Sequence, residues 1–369
     1  MDQDQWRRAL LGEFFRLMGI NVNNNYDKQR FSYDGIDRSQ ANNVSLHANY
    51  LNWFIDHSAE LFATWLLLRD DDSRTLLDRL ILFRLLGHRH VVIRPGVDYY
   101  MEQQAVFEKA QGWEVGPAEL SLSGLFGAVK RYRGTAFGRT ITLDAWAGSV
   151  ACSFLAQPRQ YYFERAGVRI APEPGDWIID GGACLGETAV AFAISAGETG
   201  RVLSFDPLPQ HQKATQHNAK LNELDTIKVL PYALGAKTNV TFALPPDQQE
   251  ADQSEAIIQT KGAVVPGFSI LGRESGLPVV ALDDYLAQHP QERLDFIKLD
   301  IEGAELAALQ GASATIKRYR PKLAISLYHK IVDFVAIPHF IAAAFPYYDF
   351  YLDHHTIHAE ETVLYASPR

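Results

Sequence analysis

A mixed α/β fold, its mostly parallel sheet covered by helices on both faces and preceded by a helix-rich N-terminal region, is predicted by three features of the sequence. From residue 177 onward, short apolar runs that suit strands alternate with helical stretches. The run WIIDGGACLGET at 177–188 carries an apolar strand into a glycine-rich turn that opens a helix. Residues 4–18 set Trp6, Leu10, Leu11, Phe14, Phe15 and Met18 at helical spacing, a stripe that needs a surface to pack on.

The elements follow in order. Residues 22–47, rich in Asn, Asp, Ser and Gln, read as a connecting loop. A second helix is expected from about Leu46 to Leu68, and a third after Asp70, Asp71, Asp72 and Ser73. Short side-chain oxygens there accept the first free amides of a helix, and their charge suits its positive end, which favours capping over metal binding. From about 91 to 170 the pattern turns to β-rich pieces, including Arg89–Arg94 and Thr140–Leu143. APEPG at 171–175 then breaks the chain, dividing an accessory region, 1–165, from a second domain, 166–369. In the latter, strands are expected at 177–180, 201–205, 227–231, 295–299 and 322–327, and helices at 186–196, 209–222 and 304–317. The segments 347–352 and 362–366 read as a terminal antiparallel pair. The polar stretch from Pro245 to Pro278 is too long for an ordinary connection and reads as a lid.

The 369 residues are 47% hydrophobic and 21% charged, as in a globular chain of two units. A formal net charge of -9 repels phosphate backbones and anionic lipid, so neither nucleic acid nor a membrane is an expected partner. Cys152 and Cys184 form no CxxC pair, the N-terminus has no secretory pattern, and no apolar run approaches the ~20 residues of a membrane span, so a cytoplasmic location is expected.

Nucleotide-type ligands sit at glycine turns that follow a first strand. Gly181, Gly182 and Gly186 permit close backbone approach, and their missing side chains open a slot at the strand end; Ala183, Glu187 and Thr188 complete the turn and start the helix. Dinucleotide dehydrogenases use a similar turn, and Asp180 discriminates between them. A pyrophosphate would be repelled by a carboxylate in that place, whereas the ammonium and sulfonium of S-adenosylmethionine suit it. The glycine spacing also departs from GxGxxG. Asp206 and Pro207 end the second strand, where an acid accepts both ribose hydroxyls. In DFIKLDIEGAE at 295–305, Asp300 and Glu302 gather at the carboxyl end of the central strand, and Lys298 is placed to pair with one of them.

Together IIDGGA (178–183), FDP (205–207), ALG (233–235) and DFIKLDIEGAE (295–305) resemble the FkbM-type methyltransferases. The resemblance covers most of 171–369, takes in SLYHKIVD (326–333) and ETVLYA (361–366), and has a fainter echo at 71–84. It implies a Rossmann-like seven-stranded methyltransferase sheet, S-adenosylmethionine as cofactor, and O-methylation of a hydroxyl on a sugar, polysaccharide or secondary metabolite.

Methyl transfer from a sulfonium is an in-line displacement from an activated donor, so alignment does most of the work. An alcohol acceptor must still lose its proton, and His329, Asp300 and Glu302 are the candidate bases, with Lys298 beside them. His329, after the fifth strand, is expected to titrate near neutral pH, or else to be hydrogen-bonded scaffold. Tyr328 and Asp333 are weaker candidates. Asp353, His354, His355 and His358 include metal-ligand types, but a hairpin loop places them facing solvent or lining the acceptor pocket, so no metal is assigned and a divalent-metal variant is the minority reading. A homo-oligomer is compatible with the sequence. The rival readings are a nicotinamide-dependent oxidoreductase, against which Asp180 counts, and a cofactor-binding protein without catalysis.

Overall fold

The computed structural model describes residues 1–23, 25, 32–33, 36–37, 44–94, 99–120, 123–124, 127–238 and 278–369. The stretch read as a lid therefore lies outside the described residues save Pro278, as does most of the loop at 22–47.

Asp2 starts helix α1 (Gln3–Met18): its carboxylate accepts the Gln5 amide and the Gln5 side chain accepts the Asp2 amide. Helix α2 (Val44–Leu67) kinks at His57, and α3 (Asp71–Leu86) begins where Asp70 accepts the Ser73 amide at 2.6 Å. The acidic run thus caps, as its short side chains suggest. Helix α4 (Tyr99–Gln111) falls inside the stretch read as β-rich; Val106 and the buried Ala110 pack it on a core cluster, while Met101 is 58% exposed. Strands β1 (Glu114–Pro117), β2 (Lys130–Ala136) and β3 (Arg139–Ala145) form a small antiparallel sheet. Arg89–Arg94, expected as a strand, is irregular instead. The His90 and Val91 amides turn back to the Gly87 carbonyl, and the Arg79 guanidinium takes the Val92 carbonyl, so these backbone groups are satisfied without a ladder.

The main sheet is built from β4 (Trp177–Gly181), α5 (Glu187–Ala196), β5 (Arg201–Phe205), α6 (Pro209–Leu221), β6 (Ile227–Leu230), β7 (Phe296–Leu299), α7 (Glu305–Gln310), α8 (Ser313–Tyr319), β8 (Lys322–Ser326), α9 (Asp333–Ala344), β9 (Tyr348–His354) and β10 (Thr362–Pro368). Its seven strands lie in the order β6-β5-β4-β7-β8-β10-β9, with β10 antiparallel to both neighbours. Every residue of β7 is buried, as helices on both faces require of a central strand. The connections reverse between β4 and β7, which opens a crevice at the carboxyl ends of those strands, where open α/β sheets bind ligands. The helix expected at 304–317 is two helices. A Cβ on Gly311 would stand 2.1 Å from the Gly235 carbonyl oxygen, so the helix breaks where that backbone passes.

The three N-terminal helices share a core with the end of the sheet: Trp6, Leu77 and Leu80 belong to one buried cluster with Ile325, Phe350 and Leu352. Thr64 donates to the Phe334 carbonyl, and Ser73 and Arg165 both reach the Leu352 carbonyl. Among the described residues, no helix is long and apolar enough to cross a membrane.

In this cluster Trp6 donates its indole N–H to Asp78 at 2.8 Å, and burial pushes the Asp78 carboxyl up to about 6. The unfolded carboxyl titrates near ~4, so the folded state holds this proton more tightly and stability falls as pH rises from about 4 to 6, staying lowered above. Asp78→Asn keeps the acceptor for Trp6 and removes the charge. Urea titrations should show a gain of up to about 2 kcal/mol near neutral pH and none near pH 4; an equal change at both would contradict the assignment.

Candidate functional site

The glycine turn between β4 and α5 lies against the end of β7. Gly182 has φ +80° and Gly186 +86°, and a Cβ on them would stand 1.8 Å from the Asp300 carbonyl oxygen and 2.6 Å from Thr215 Cα. Backbone just past β7 and in α6, not an open slot, fills the space their side chains would take. The glycines let these segments close up at the crevice. Ala183 is buried, and the Cys184 amide donates to Asp206 Oδ2 at 3.0 Å. Glu187, first residue of α5, is buried; its Oε2 has no hydrogen-bond partner, and burial raises its pKa. The Cys184 thiol is pushed well up, by burial first and then by the Glu187, Asp206 and Glu302 carboxylates.

Asp180 does not face this crevice. It is fully buried, 3.0 Å from Lys298 Nζ, and accepts from Thr188 and Ser204 hydroxyls at 3.2 and 3.3 Å. Lys298 also donates to the Gly181 and Gly182 carbonyls at 2.9 and 2.7 Å. Burial opposes its charge, but the Asp180 and Asp300 carboxylates outweigh it and raise the pKa. One expectation is corrected. Lys298 pairs with Asp180 rather than with Asp300 or Glu302, because β4 and β7 set Asp180 directly opposite Lys298; Asp180, buried and paired, braces the loop.

Asp206 sits at the end of β5, just before Pro207. Its Oδ1 accepts the Leu208 amide at 3.0 Å and its Oδ2 lies 3.1 Å from His211 Nδ1 besides the Cys184 amide. Both oxygens already have partners, so a ribose would share them with His211. Burial works against charge on His211, and Asp206 more than restores it.

At the end of β7 the Asp300 carboxylate is held from both sides, by the Tyr161 hydroxyl at 2.6 Å and the Tyr328 hydroxyl at 3.0 Å. His329 Nε2 is 3.4 Å from both Asp300 Oδ1 and Glu302 Oε2, and Nδ1 is 2.9 Å from Glu305 Oε1. Burial alone would keep this imidazole neutral, but Glu305, Glu302 and Asp300 together push it up to about 10. The expected titration near neutral pH is thereby corrected: His329 holds its proton. Asp300, despite burial, is kept ionised by His329 and Lys298. Glu302 has a left-handed backbone, φ +59°, and is about a third exposed. Asp333, beside the cluster, is pushed up to about 7 by burial and Glu305. Tyr161, Glu305 and His211 were not read from the sequence. Tyr161 comes from the N-terminal part with φ +66°, and nothing local marks it.

His354, His355 and His358 are not solvent-facing. All are buried; His354 bonds Thr362 and His355 bonds the Tyr365 hydroxyl, and burial holds His355 down to about 4. A cavity of about 220 Å³ lies beside them, its wall including Arg94, Glu102, Gln103, Gln160, His354 and His355. Gln160 also donates to the Tyr161 hydroxyl, which links this wall to Asp300.

A seven-stranded sheet in this order, with a glycine turn after its first strand and acids at the ends of β5 and β7, has the Rossmann-like methyltransferase architecture. Residues 180–356 match the family described as the methyltransferase FkbM domain. Among solved structures it is similar to methyltransferase FkbM from Methylobacillus flagellatus KT, with 20% identity over 85% of this chain and a TM-score of 0.50, a likeness of fold. This chain spans 60% of that protein's length. Weaker likenesses include an O-methyltransferase from Bacillus cereus in complex with SAH (14% identity, 52% of this chain and 74% of that one, TM-score 0.34). Another is Aeropyrum pernix fibrillarin with natively bound S-adenosyl-L-methionine (11% identity, 68% of this chain and 97% of that one, TM-score 0.34). No curated protein matches the chain.

Proposed function

We propose that this methyltransferase uses S-adenosylmethionine and methylates a hydroxyl on a sugar, polysaccharide or secondary metabolite. The observation that carries the reading is the pair of buried acids at the glycine turn: Asp206, which accepts the Cys184 amide, and Glu187, whose Oε2 has no hydrogen-bond partner. Carboxylates in these places favour a ligand bearing a sulfonium and an ammonium and oppose a pyrophosphate, which counts against the nicotinamide reading. They take over the discriminating part first given to Asp180.

The residues present fit the cofactor. Glu187 Oε2, buried and without a partner, is an acceptor waiting for a donor such as an ammonium. Asp206 is placed for the ribose, and the 181–183 backbone lines the approach. The cofactor supplies a methyl group already activated on sulfur, so the protein's part is alignment and removal of the acceptor's proton. Glu302, a third exposed beside the crevice, takes that proton; Asp300 stays anionic next to it, clamped by its two tyrosines. Residues 166–369 then form the transferase domain, and 1–165 an accessory region that contributes Tyr161.

The test is a thermal-shift titration with S-adenosylmethionine, S-adenosylhomocysteine and NAD on the wild type and Asp206→Asn. The first two should stabilise, by about 2.7 kcal/mol at a hundredfold excess over Kd, with a much smaller shift in the variant and none from NAD. Stabilisation by NAD, or by no ligand, would overturn the cofactor. Binding without turnover of methyl-labelled cofactor on a panel of sugar and polyketide hydroxyls would favour the non-catalytic reading.

A further inference from the structure

We propose that Asp300, Glu305 and His329 form a divalent-cation site at the carboxyl end of β7. One ligand atom from each lies within 4.8 Å of the others. Octahedral coordination with bonds of about 2.1 Å sets neighbouring ligand atoms roughly 3 Å apart and opposite ones roughly 4.2 Å, so a shift of less than an ångström closes the set.

Two observations beyond the clustering point to a missing partner. Glu305 is fully buried, and its Oε2 has no hydrogen bond. His329 is 3% exposed, and neither ring nitrogen makes a directed hydrogen bond; the carboxylate oxygens within 3.4 Å stand close to it but off the N–H directions. Buried polar atoms left in this state are costly unless something fills the gap. A cation between them would satisfy Glu305 and His329 at once, with Asp300 as the third ligand.

The surroundings are arranged as ligands' supports usually are. Tyr161 and Tyr328 hold the two oxygens of Asp300, while the Ile301 and Gly303 amides hold Glu305 Oε1. Positive φ at Glu302 and Gly303 folds the backbone so that three acids converge on one imidazole. Glu302 Oε2, 3.4 Å from Nε2, stands at the exposed side as a further oxygen. Two or three carboxylates and one imidazole suit Mn2+ and similar first-row ions. The ion occupies the place of the imidazole proton, so His329 binds it in the neutral form. Any part the ion plays in methyl transfer rests on the proposed function; its binding does not.

The test uses the full chain, freed of metal with EDTA and titrated with MnCl2. Electron paramagnetic resonance should show about one bound Mn2+ per chain below roughly 1 mM. Spin-echo modulation on the wild type should show a directly coordinated nitrogen, and His329→Gln and Glu305→Gln should each weaken binding at least tenfold. No stoichiometric binding, bound Mn2+ without nitrogen coupling, or affinity unchanged in a folded His329→Gln would each overturn the site. If the variants do not fold, the nitrogen signal of the wild type decides. Stabilisation by S-adenosylmethionine without Mn2+ binding would remove this site and leave the proposed function standing.

Discussion

Replacing Lys298 by Met is expected to cost about 3–5 kcal/mol of folding stability, because it leaves Asp180 charged in a place with no water. Asp180 is fully buried and its strongest partner is the Lys298 ammonium at 3.0 Å. The lysine brings more than its charge: it ties the Gly181 and Gly182 carbonyls, so its loss also frees the start of the glycine turn. Asp180→Asn should cost a comparable amount by stranding the ammonium instead. The double variant Asp180→Asn/Lys298→Met should then lose clearly less than the sum, since no unpaired charge remains. Urea unfolding of the four proteins measures this coupling. Strictly additive losses would show that the two side chains act separately and that the loop is braced by something else.

Gly182→Ala should be the most damaging single change at the crevice. The added methyl would stand 1.8 Å from a backbone oxygen that has no freedom to rotate away, at a φ of +80°. The left-handed backbone alone costs an Ala about 1 kcal/mol, and the overlap with β7 brings the expected loss to roughly 3 kcal/mol or more. Gly167→Ala provides the comparison: its φ is +81°, but nothing lies within 4 Å of the new methyl. It should show the backbone cost alone. The response to S-adenosylmethionine should vanish in Gly182→Ala and persist in Gly167→Ala. Equal losses of Tm in the two variants would mean that the close approach to Asp300 is not what the glycine is for.

Much of the main sheet could be read in advance for a simple reason. Strands buried on both faces are unbroken apolar runs, and WII at 177–179 or LAI at 323–325 shows this without any partner in view. The glycine turn was as visible, since few other contexts combine an apolar strand, glycines and a helix start. What each charged residue does there was not visible, because that depends on strand alignment. Lys298 faces Asp180 through the register of two strands 118 positions apart, which neither strand's sequence carries. The protonation of His329 depends on Glu305 from the start of another helix. Tyr161 reaches Asp300 from outside the patterned half of the chain, and α4 meets the core through Val106 and Ala110 while Met101 stays exposed, a weak stripe. In each case the missing information is which segments meet.

The core shared by α1, α3 and β9 also constrains when that core can be completed during synthesis. Thr64 and Ser73 bond partners 270 and 279 positions later, and Arg165 ties Asp70 to the Leu352 carbonyl. On the ribosome, the apolar sides of α1 and α3 are made early yet cannot be covered until Phe350 and Leu352 emerge. During most of synthesis those helices therefore carry a greasy surface without its match, a state that invites holdase binding or wrong pairing. The hairpin of β9 and β10 is thus the piece that covers these helices, joining segments 279 positions apart.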